Sequence, residues 1–377
     1  MAIAFYRSKF FWEIIGIKIL GTIFAVFVFA RISSLGDADR YVNANIGLSL
    51  SLLKDRTFLA DFIISSIGRY FGLFPTSLVI SCILGLIIYR CFRTAYPFLK
   101  KTLFWLIILL PSFLVWSGSP SKEALVLPVL IPLVYECVQI TVYGRVRWKR
   151  ILFFLAFAFI LRPHYAISYS GLTFLSILFS TRTRVKMPRL SIGVHYFTLV
   201  ILAVSGIIAL AFTKSLWERQ LLYVMRTAEA MFLPYKSKTN RLDIIWESIG
   251  DFFSNIVWGL PSSFIGPTFM ETIKRPAFLP FFLEGIFSIL LLIMVILNIL
   301  QLIKVNNALR KVVIYGFLPA VVIAIIIHYP FGIFNPGSAT RYKQALVPLL
   351  YFYPLLLQGE WRRKIYFEKQ GMKEEIL

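Results

Sequence analysis

The chain has 377 residues, of which 58% are hydrophobic and only 15% are charged, and its formal net charge is +22. A soluble domain of this length needs far more charged surface, so the composition excludes that class. Apolar runs bounded by Lys and Arg clusters recur throughout and predict a single polytopic membrane domain over residues 1–377. The basic excess then follows from topology and from attraction to anionic membrane lipids, and no nucleic-acid partner is expected.

The predicted spans follow from apolar length, because roughly 20 helical residues cross the hydrocarbon core. In chain order they are 14–32, 73–89, 102–117, 123–143, 150–162, 165–181, 193–213, 279–303, 312–329 and 343–358. The runs lack the polar and apolar alternation of barrel strands, and backbone groups in lipid must be paired within their own segment. We therefore predict an all-α integral membrane protein with about ten transmembrane helices.

The positions of the basic residues predict the orientation of these helices. Short loops such as RVRWKR at 145–150 and TRTRVKMPR at 181–189 are rich in Lys and Arg and almost free of acids. They are expected in the cytoplasm, together with both termini. The first apolar run contains Glu13 and Lys18 and no small-residue cleavage site, so it is interpreted as a signal anchor.

Two outer segments, 33–72 and 214–276, are too long to be simple connectors. The second half of the first predicts a helix lying at the membrane surface, because one helical face carries Leu59, Phe62, Ile63 and Ile67. The second segment contains the turn-rich stretch GLPSSFIGP and three tryptophans, Trp217, Trp246 and Trp258. The chemistry or binding of the protein is therefore expected on the outer side.

The segment between Arg150 and Arg182 contains polar residues at membrane depth. As one span it would place a basic loop outside, against the charge rule, so a hairpin is favoured. Its first arm has only about 11 apolar residues, roughly 16 Å of helix, which leaves Arg162 and His164 below the outer surface beside Pro163. Irregular backbone at that depth must be buried in protein or line a wet cavity. The alternative is an Arg162 side chain that snorkels to the headgroups.

Other basic and acidic residues occur at the outer ends of predicted spans. Lys122 and Glu123 begin a helix after WSGSPS, where helix N-terminal amides favour an anion, although a capped turn with an ordinary ion pair also fits. Arg341 precedes the last span, as part of a site or as an interface anchor. Asp37 and Asp39 follow the first span, as a base, a metal ligand or a solvated loop.

Arg162, Lys122 and Arg341 are predicted to converge as a clamp on a negatively charged head group. Arginine suits bidentate contact with phosphate. A diphosphate attached to a lipid is the natural ligand for basic groups at this depth. We assign no metal site and no cofactor, because the three histidines are scattered and His195 lies on the cytoplasmic side.

Five short motifs resemble bacterial surface-polysaccharide proteins, namely GDADRY, WSGSPSKEA, LRP, GLP followed by GP, and NPGSATRY. The chain is similar to the O-antigen and capsule repeat-unit polymerases (the Wzy type) and to the wider GT-C-like membrane glycosyltransferases. The resemblance implies a bacterial inner-membrane enzyme whose active site faces the periplasm. Its substrate would be an undecaprenyl-diphosphate-linked oligosaccharide, and a chain-length regulator and a flippase are possible protein partners.

The same resemblance implies an inverting transfer with a diphosphate leaving group. The acidic residue of the first outer loop in GT-C enzymes would fall on Asp37 or Asp39, as base or metal ligand, with His164 as the rival base. Sugar binding is assigned to Glu247, Asp251, Glu271 and Tyr342. The outer tryptophans either stack on sugars or anchor the protein at the interface.

Four other functions remain open on the sequence. A GT-C transferase that uses a lipid monophosphate sugar, or an O-antigen ligase, would need the same basic groups. A lipid-linked oligosaccharide flippase would also need cations in a membrane cavity, but it is expected to show symmetric halves or midplane charges. A non-enzymatic assembly or anchoring protein would not need a buried Arg-Pro-His sequence.

Overall fold

The computed structural model describes residues 2–33, 35–47, 56–180, 197, 200–201, 204–205, 214–232, 240–241, 244 and 246–371. Within these ranges the regular structure is helical and no strand occurs. Five helices are long and apolar enough to cross a membrane, Lys9–Ile32, Leu73–Phe92, Lys122–Tyr143, Pro276–Lys304 and Leu309–Ile333. The prediction of an all-α membrane protein is confirmed at this level, whereas the number of ten spans stays a prediction.

The α-helices of the described ranges are numbered in chain order. They are α1 Ala2–Ile23, α2 Ala30–Ile32, α3 Ala38–Asn43, α4 Arg56–Phe71, α5 Leu73–Phe92, α6 Lys101–Ile108, α7 Pro111–Trp116, α8 Lys122–Tyr143, α9 Trp148–Leu161, α10 Pro163–Leu178, α11 Lys214–Phe232, α12 Ile249–Ser254, α13 Ile256–Ile265, α14 Phe269–Lys274, α15 Leu279–Val305, α16 Asn307–Lys311, α17 Leu318–Ile333, α18 Pro336–Tyr342 and α19 Tyr353–Lys369. Short π-helical turns occur at Phe24–Phe29, Val312–Phe317 and Pro348–Phe352.

Two predicted spans take a different form from a single long helix. Residues 102–117 form α6 and α7, because Pro111 has no N–H to continue the first helix and begins the second. Residues 343–358 pass from a 3-10 turn through a π-helical turn into α19. The predicted span 193–213 lies almost entirely outside the described residues.

Helices α9 and α10 run as an antiparallel hairpin along α8. The start of α9 contacts Glu136 near one end of α8, and the hairpin tip at Arg162 contacts Glu123 near the other end. Thr173 of α10 then returns to the level of Cys137, where its Oγ1 lies 3.3 Å from the cysteine Sγ. The helix break expected at Arg-Pro is therefore present, and it places Arg162 at the tip of the hairpin.

The opposite end of the bundle carries most of the basic clusters. There Glu360 of α19 is buried and accepts hydrogen bonds from Thr94 at 2.7 Å and Tyr143 at 2.8 Å, and it pairs with Arg363 at 3.0 Å. Other basic side chains make contacts at the same end of α8, where Lys364 Nζ donates to Val142 O at 3.1 Å and Arg147 and Arg150 lie 2.7 Å and 3.7 Å from Glu136. By the charge rule this end is the cytoplasmic one, which stays a prediction.

The helix predicted in the first outer segment is present as α4. The face that the hydrophobic pattern selects is only partly buried, and the closely packed face is instead that of Ala60, Ile64 and Gly68. A Cβ built on Gly68 would lie 2.8 Å from the Val42 backbone, so α3 and α4 approach each other closely. The face with Ala60, Ile64 and Gly68 therefore packs on the bundle, and the face that the hydrophobic pattern selects does not pack as closely.

The described part of the second outer segment packs onto α17. Trp246 is buried in a cluster with Phe252, Tyr329 and Phe334, which gives this tryptophan a packing role. Trp258 is partly exposed, and its Nε1 donates to Asn255 Oδ1 at 2.9 Å. The side chain of Trp217 is outside the described residues. Of the two alternatives for the tryptophans, neither sugar stacking nor interface anchoring describes Trp246.

Candidate functional site

The three predicted clamp residues line one cavity at the tip of the α9–α10 hairpin. Arg162, Lys122 and Arg341 share a cavity of about 740 Å³, and the rest of its wall includes Asp37, Arg40, Tyr41, Asn240, Asn335 and Tyr342. The outer ends of helices that are far apart in sequence therefore meet here. The volume lies within the range of small-molecule sites, roughly 300–1,000 Å³.

Local sequence explains how each basic side chain reaches the cavity. Arg162 has φ −146° and ψ 70°, outside the helical region, and Pro163 starts α10 directly after it. Lys122 is the first residue of α8, whose N-terminus is capped by Ser121. Arg341 is on α18, which begins after Asn335, and the Asn335 Oδ1 accepts from Ser338 N at 3.0 Å.

Glu123 lies beneath the two arginines and is the site residue that the sequence did not identify. Its carboxylate is 2% exposed, forms an ion pair with Arg162, and lies 3.6 Å from Arg341 Nε through its second oxygen. Arg162 itself is 8% exposed. A buried carboxylate between two guanidinium groups holds both in place and neutralises part of their charge. The sequence signal for Glu123 is the SKE turn, and the sequence alone is equally consistent with an ordinary ion pair at that turn.

Tyr342 lies between the same two arginines. The guanidinium carbons of Arg162 and Arg341 are each 4.9 Å from the centre of the phenol ring, and Arg341 Nη2 donates to the hydroxyl at 3.2 Å. Burial alone would raise the pKa of Tyr342, but the two guanidinium groups lower it below its ordinary value of 10.0. The residue assigned to sugar binding thus also orients the arginines.

Asp37 and Asp39, the two base candidates of the first outer segment, have different surroundings. The Asp37 carboxylate lies 3.6 Å from Arg341 Nη1, is 47% exposed and lines the cavity. Asp39 is exposed on α3 and does not belong to the cavity wall that the structure describes. The geometry therefore separates the two aspartates, and only Asp37 is close to the predicted clamp.

The cavity also carries ion pairs near α3 and α4. Arg40 Nη1 lies 3.3 Å from Asp61 Oδ2, and Lys122 Nζ donates to Thr57 Oγ1 at 2.7 Å. Four cations lie at the cavity or pair with its wall, namely Arg40, Lys122, Arg162 and Arg341. Three carboxylates oppose them, those of Asp37, Asp61 and Glu123. The site therefore carries one net positive charge. The N-termini of α8 and α10 add about half a positive charge each. The site favours an anion.

A buried ion pair anchors the backbone just after Arg341. Lys343 Nζ lies 3.3 Å from Glu284 Oε1, and both side chains are almost fully buried. Glu284 also accepts from Ser112 N at 2.6 Å, and Gln344 Nε2 donates to Ser112 Oγ at 2.9 Å. These contacts tie α7, α15 and the segment after α18 together, so they fix the height of Arg341 in the bundle.

The histidines of this region have packing partners. His164, the rival base, is half-buried with its ring 5.5 Å from that of Phe331, and it does not belong to the described cavity wall. His328 is buried between helices, where Nε2 donates to Ser263 O at 3.0 Å and Nδ1 lies 2.9 Å from the Tyr165 hydroxyl. The described cavity wall contains Asp37, which lies 3.6 Å from Arg341, and does not contain His164.

The acids assigned to sugar binding in the second outer segment lie apart from this cavity. Asp251 accepts from Ser248 N at 2.7 Å in a capping box, and these hydrogen bonds lower its pKa. Burial alone would raise the pKa of Glu271, but hydrogen bonds and charge from Arg241 lower it, with Arg241 Nε 2.7 Å away. Glu247 is exposed, and its backbone N donates to Asp251. Asp251 and Glu271 thus have structural partners in place.

Within the described ranges, no group of three or more His, Cys, Asp or Glu side chains is arranged to hold a metal ion. The described wall of the cavity offers guanidinium groups, an ammonium group, two phenols and the Asp37 carboxylate. Comparison of the chain with models of protein families, with curated proteins and with solved structures finds no match.

Proposed function

We propose that this chain is a membrane glycosyltransferase that polymerises undecaprenyl-diphosphate-linked oligosaccharide repeat units into a surface polysaccharide. The observation that carries the proposal is the pair of arginines held over Glu123, the buried Arg162 and the partly buried Arg341, which face a cavity at one end of a helical bundle. Cationic side chains at membrane depth usually face a cavity and mark a functional site. Support for the glycan part of the proposal comes from the sequence motifs around these residues.

The arginines suit a diphosphate better than a neutral ligand. Each guanidinium group offers a planar fork of N–H donors that matches phosphate oxygens. The net positive charge of the site and the nearby helix N-termini add attraction for an anion. A lipid diphosphate can bring such a group to the depth of Arg162 while its lipid tail stays in the membrane.

The proposed reaction requires stabilisation of a leaving group and a base. A hydroxyl oxygen of the acceptor sugar attacks the anomeric carbon of the donor, and the bond from that carbon to the diphosphate oxygen breaks. The electron pair leaves with the diphosphate, next to Arg162 and Arg341, which stabilise the developing charge. The acceptor proton passes to the half-exposed Asp37 carboxylate. Direct displacement inverts the anomeric configuration.

The proposed orientation places the cavity at the periplasmic face of a bacterial inner membrane. With about ten spans, both termini are cytoplasmic, and the basic end of the bundle around Glu360 faces the cytoplasm. Lipid-linked repeat units on the periplasmic leaflet then reach the cavity directly.

The direct test uses purified protein in lipid nanodiscs with a lipid-linked repeat unit as substrate. Wild-type protein should give a ladder of glycan lengths on one carrier lipid. Arg162→Lys and Arg341→Lys should each reduce the rate roughly 10²–10³-fold, because a point charge does not reproduce the planar fork. Arg310→Lys, at the opposite end of the bundle, is the matched control and should retain the rate.

A gel of surface polysaccharide from a deletion strain separates the neighbouring functions. Loss of the ladder with one repeat unit retained on the cell surface supports the polymerase. Loss of all repeats from the cell surface, with lipid-linked polymer accumulating, would instead identify a ligase. Accumulation of unpolymerised lipid-linked repeat units on the cytoplasmic leaflet would identify a flippase.

A further inference from the structure

A second cavity lies on the other side of Arg341. Its volume is about 410 Å³, and it shares three wall residues with the first cavity, Asn335, Ser338 and Arg341. The two cavities are therefore neighbours, and the Arg341 side chain belongs to the wall of both. A group bound in either cavity lies next to the same guanidinium.

The wall of the second cavity differs in chemistry from that of the first. It contains the aromatic residues Trp116 and Phe278 and the small polar residue Ser33, and its described part has no carboxylate. Besides Arg341 it has one other cation, Arg275, whose guanidinium carbon lies 5.7 Å from the centre of the Phe278 ring. Aromatic surface with a few polar groups is typical of a site for a small organic ligand.

Trp116 supplies an independent indication of a ligand. The side chain is 6% exposed, and its Nε1–H donates to no acceptor in the part of the chain that the structure describes. A buried donor of this kind is unfavourable unless a partner is supplied. A ligand oxygen that reaches this N–H from the cavity would satisfy it.

Gly36 forms the border between the two cavities. Its φ is +63°, and a Cβ at this position would lie 2.5 Å from Arg341 Nη1 and 3.8 Å from the Trp116 ring. Glycine therefore allows Arg341 and the backbone to approach each other here. Asp37, the next residue, lines the first cavity. Asp37, the proposed base, therefore lies near the boundary between the two cavities.

We propose that the second cavity binds the acceptor glycan through a hydroxyl-rich sugar unit, a proposal that rests on the proposed function. Sugar hydroxyl groups can accept from Trp116 Nε1 and can exchange hydrogen bonds with Ser33 and Asn335. A polyprenyl chain in the same cavity would leave the Trp116 N–H without an acceptor, so it is the poorer occupant. The acceptor hydroxyl then lies beside Asp37, and the donor diphosphate occupies the first cavity.

The test compares two tryptophan substitutions that fill one cavity each. Ala277 lines only the second cavity, and Ala230 lines only the first. The donor is the lipid-linked repeat unit, and the acceptor is the same glycan released from its lipid, so that KM is measured separately for each. Ala277→Trp should raise the acceptor KM at least tenfold and leave the donor KM within about twofold. Ala230→Trp should show the reverse pattern.

Trp116→Phe is the milder variant, which keeps the ring and removes the N–H. It should raise the acceptor KM about fivefold, and an unchanged acceptor KM would contradict the proposal. This variant keeps the proposal testable if Ala277→Trp does not fold, as judged by size-exclusion chromatography.

The outcomes separate this inference from the proposed function. If wild-type protein neither hydrolyses the donor nor transfers it, the proposed function fails and the acceptor site fails with it. If wild-type protein transfers the glycan, but the second-cavity variants leave the acceptor KM unchanged or raise the donor KM equally, the acceptor site alone is refuted.

Discussion

Glu123→Gln tests whether the buried carboxylate holds the two arginines. At 3.6 Å, the attraction between Glu123 and Arg341 is about 4.6 kcal/mol at an effective dielectric constant of about 20. The pair with Arg162 adds to it, and the cost of removing these groups from water offsets part of both. Loss of one partner from a buried pair costs about 3–5 kcal/mol. We therefore expect Glu123→Gln to lower the free energy of unfolding by about 3 kcal/mol.

The same substitution should strengthen binding of an anion. A phosphate about 6 Å from the former carboxylate loses a repulsion of roughly 2.8 kcal/mol at that dielectric constant, which corresponds to about a hundredfold in affinity. Inorganic pyrophosphate should therefore stabilise Glu123→Gln against thermal unfolding more than it stabilises wild-type protein.

Unfolding by SDS titration in mixed micelles measures the first effect, and the thermal shift with pyrophosphate measures the second. The matched control is Glu368→Gln, because Glu368 is 56% exposed and lies 3.9 Å from Lys364 at the opposite end of the bundle. An exposed pair contributes at most about 1 kcal/mol. If Glu123→Gln changes the free energy of unfolding by no more than the control does, or weakens pyrophosphate binding, the reasoning about the buried carboxylate is refuted.

Asp37→Asn should preserve the fold and donor binding but slow transfer roughly 10²–10⁴-fold, because an amide does not accept the acceptor proton. Nearly normal turnover of that purified variant would move the base to His164. A cysteine at Asp39 should react with a membrane-impermeant maleimide from the periplasm and one at Lys149 should not, and the opposite labelling would invert the topology. The guanidinium partner of Glu271 lowers its pKa, so its stabilising effect is complete above about pH 4.3 and is lost as the pH falls through the lowered pKa. Glu271→Gln should therefore cost about 2 kcal/mol at pH 7 and less at pH 3 in the same SDS titration, and an equal loss at both pH values would contradict this assignment.

Local signals predicted the parts of the fold that depend on neighbouring residues. The Arg-Pro dipeptide at Arg162 predicted a helix break, because proline removes a backbone donor and restricts the preceding residue. Apolar length predicted the five long helices that the structure contains. The convergence of Arg162, Lys122 and Arg341 was predicted from charge at the expected outer ends of spans.

Most contacts between distant segments could not be predicted from local sequence. Nothing near Glu123 indicates that residues of α9, α10 and α18 meet above it, since that depends on how whole helices pack. The ion pair of Glu284 and Lys343 was missed because Glu284 occurs singly in a long apolar run. The large apolar residues of α4 suggested one face, whereas close packing follows the small residues Ala60 and Gly68.

The shortness of the α9 arm has a consequence for the surrounding lipid. At 14 residues, α9 is about 21 Å long, whereas the hydrocarbon core of a typical bilayer is about 30 Å thick. Leu152 and Phe159 are exposed on this arm, so this helix faces lipid. Because the helix is shorter than the hydrocarbon core is thick, we expect the bilayer to thin locally and so reduce the hydrophobic mismatch. Thinning lowers the headgroup plane toward Arg162. A carrier lipid bound here, as proposed, would present its phosphates near the arginines without leaving its leaflet. The rate of glycan transfer should therefore fall in membranes whose lipids have longer acyl chains.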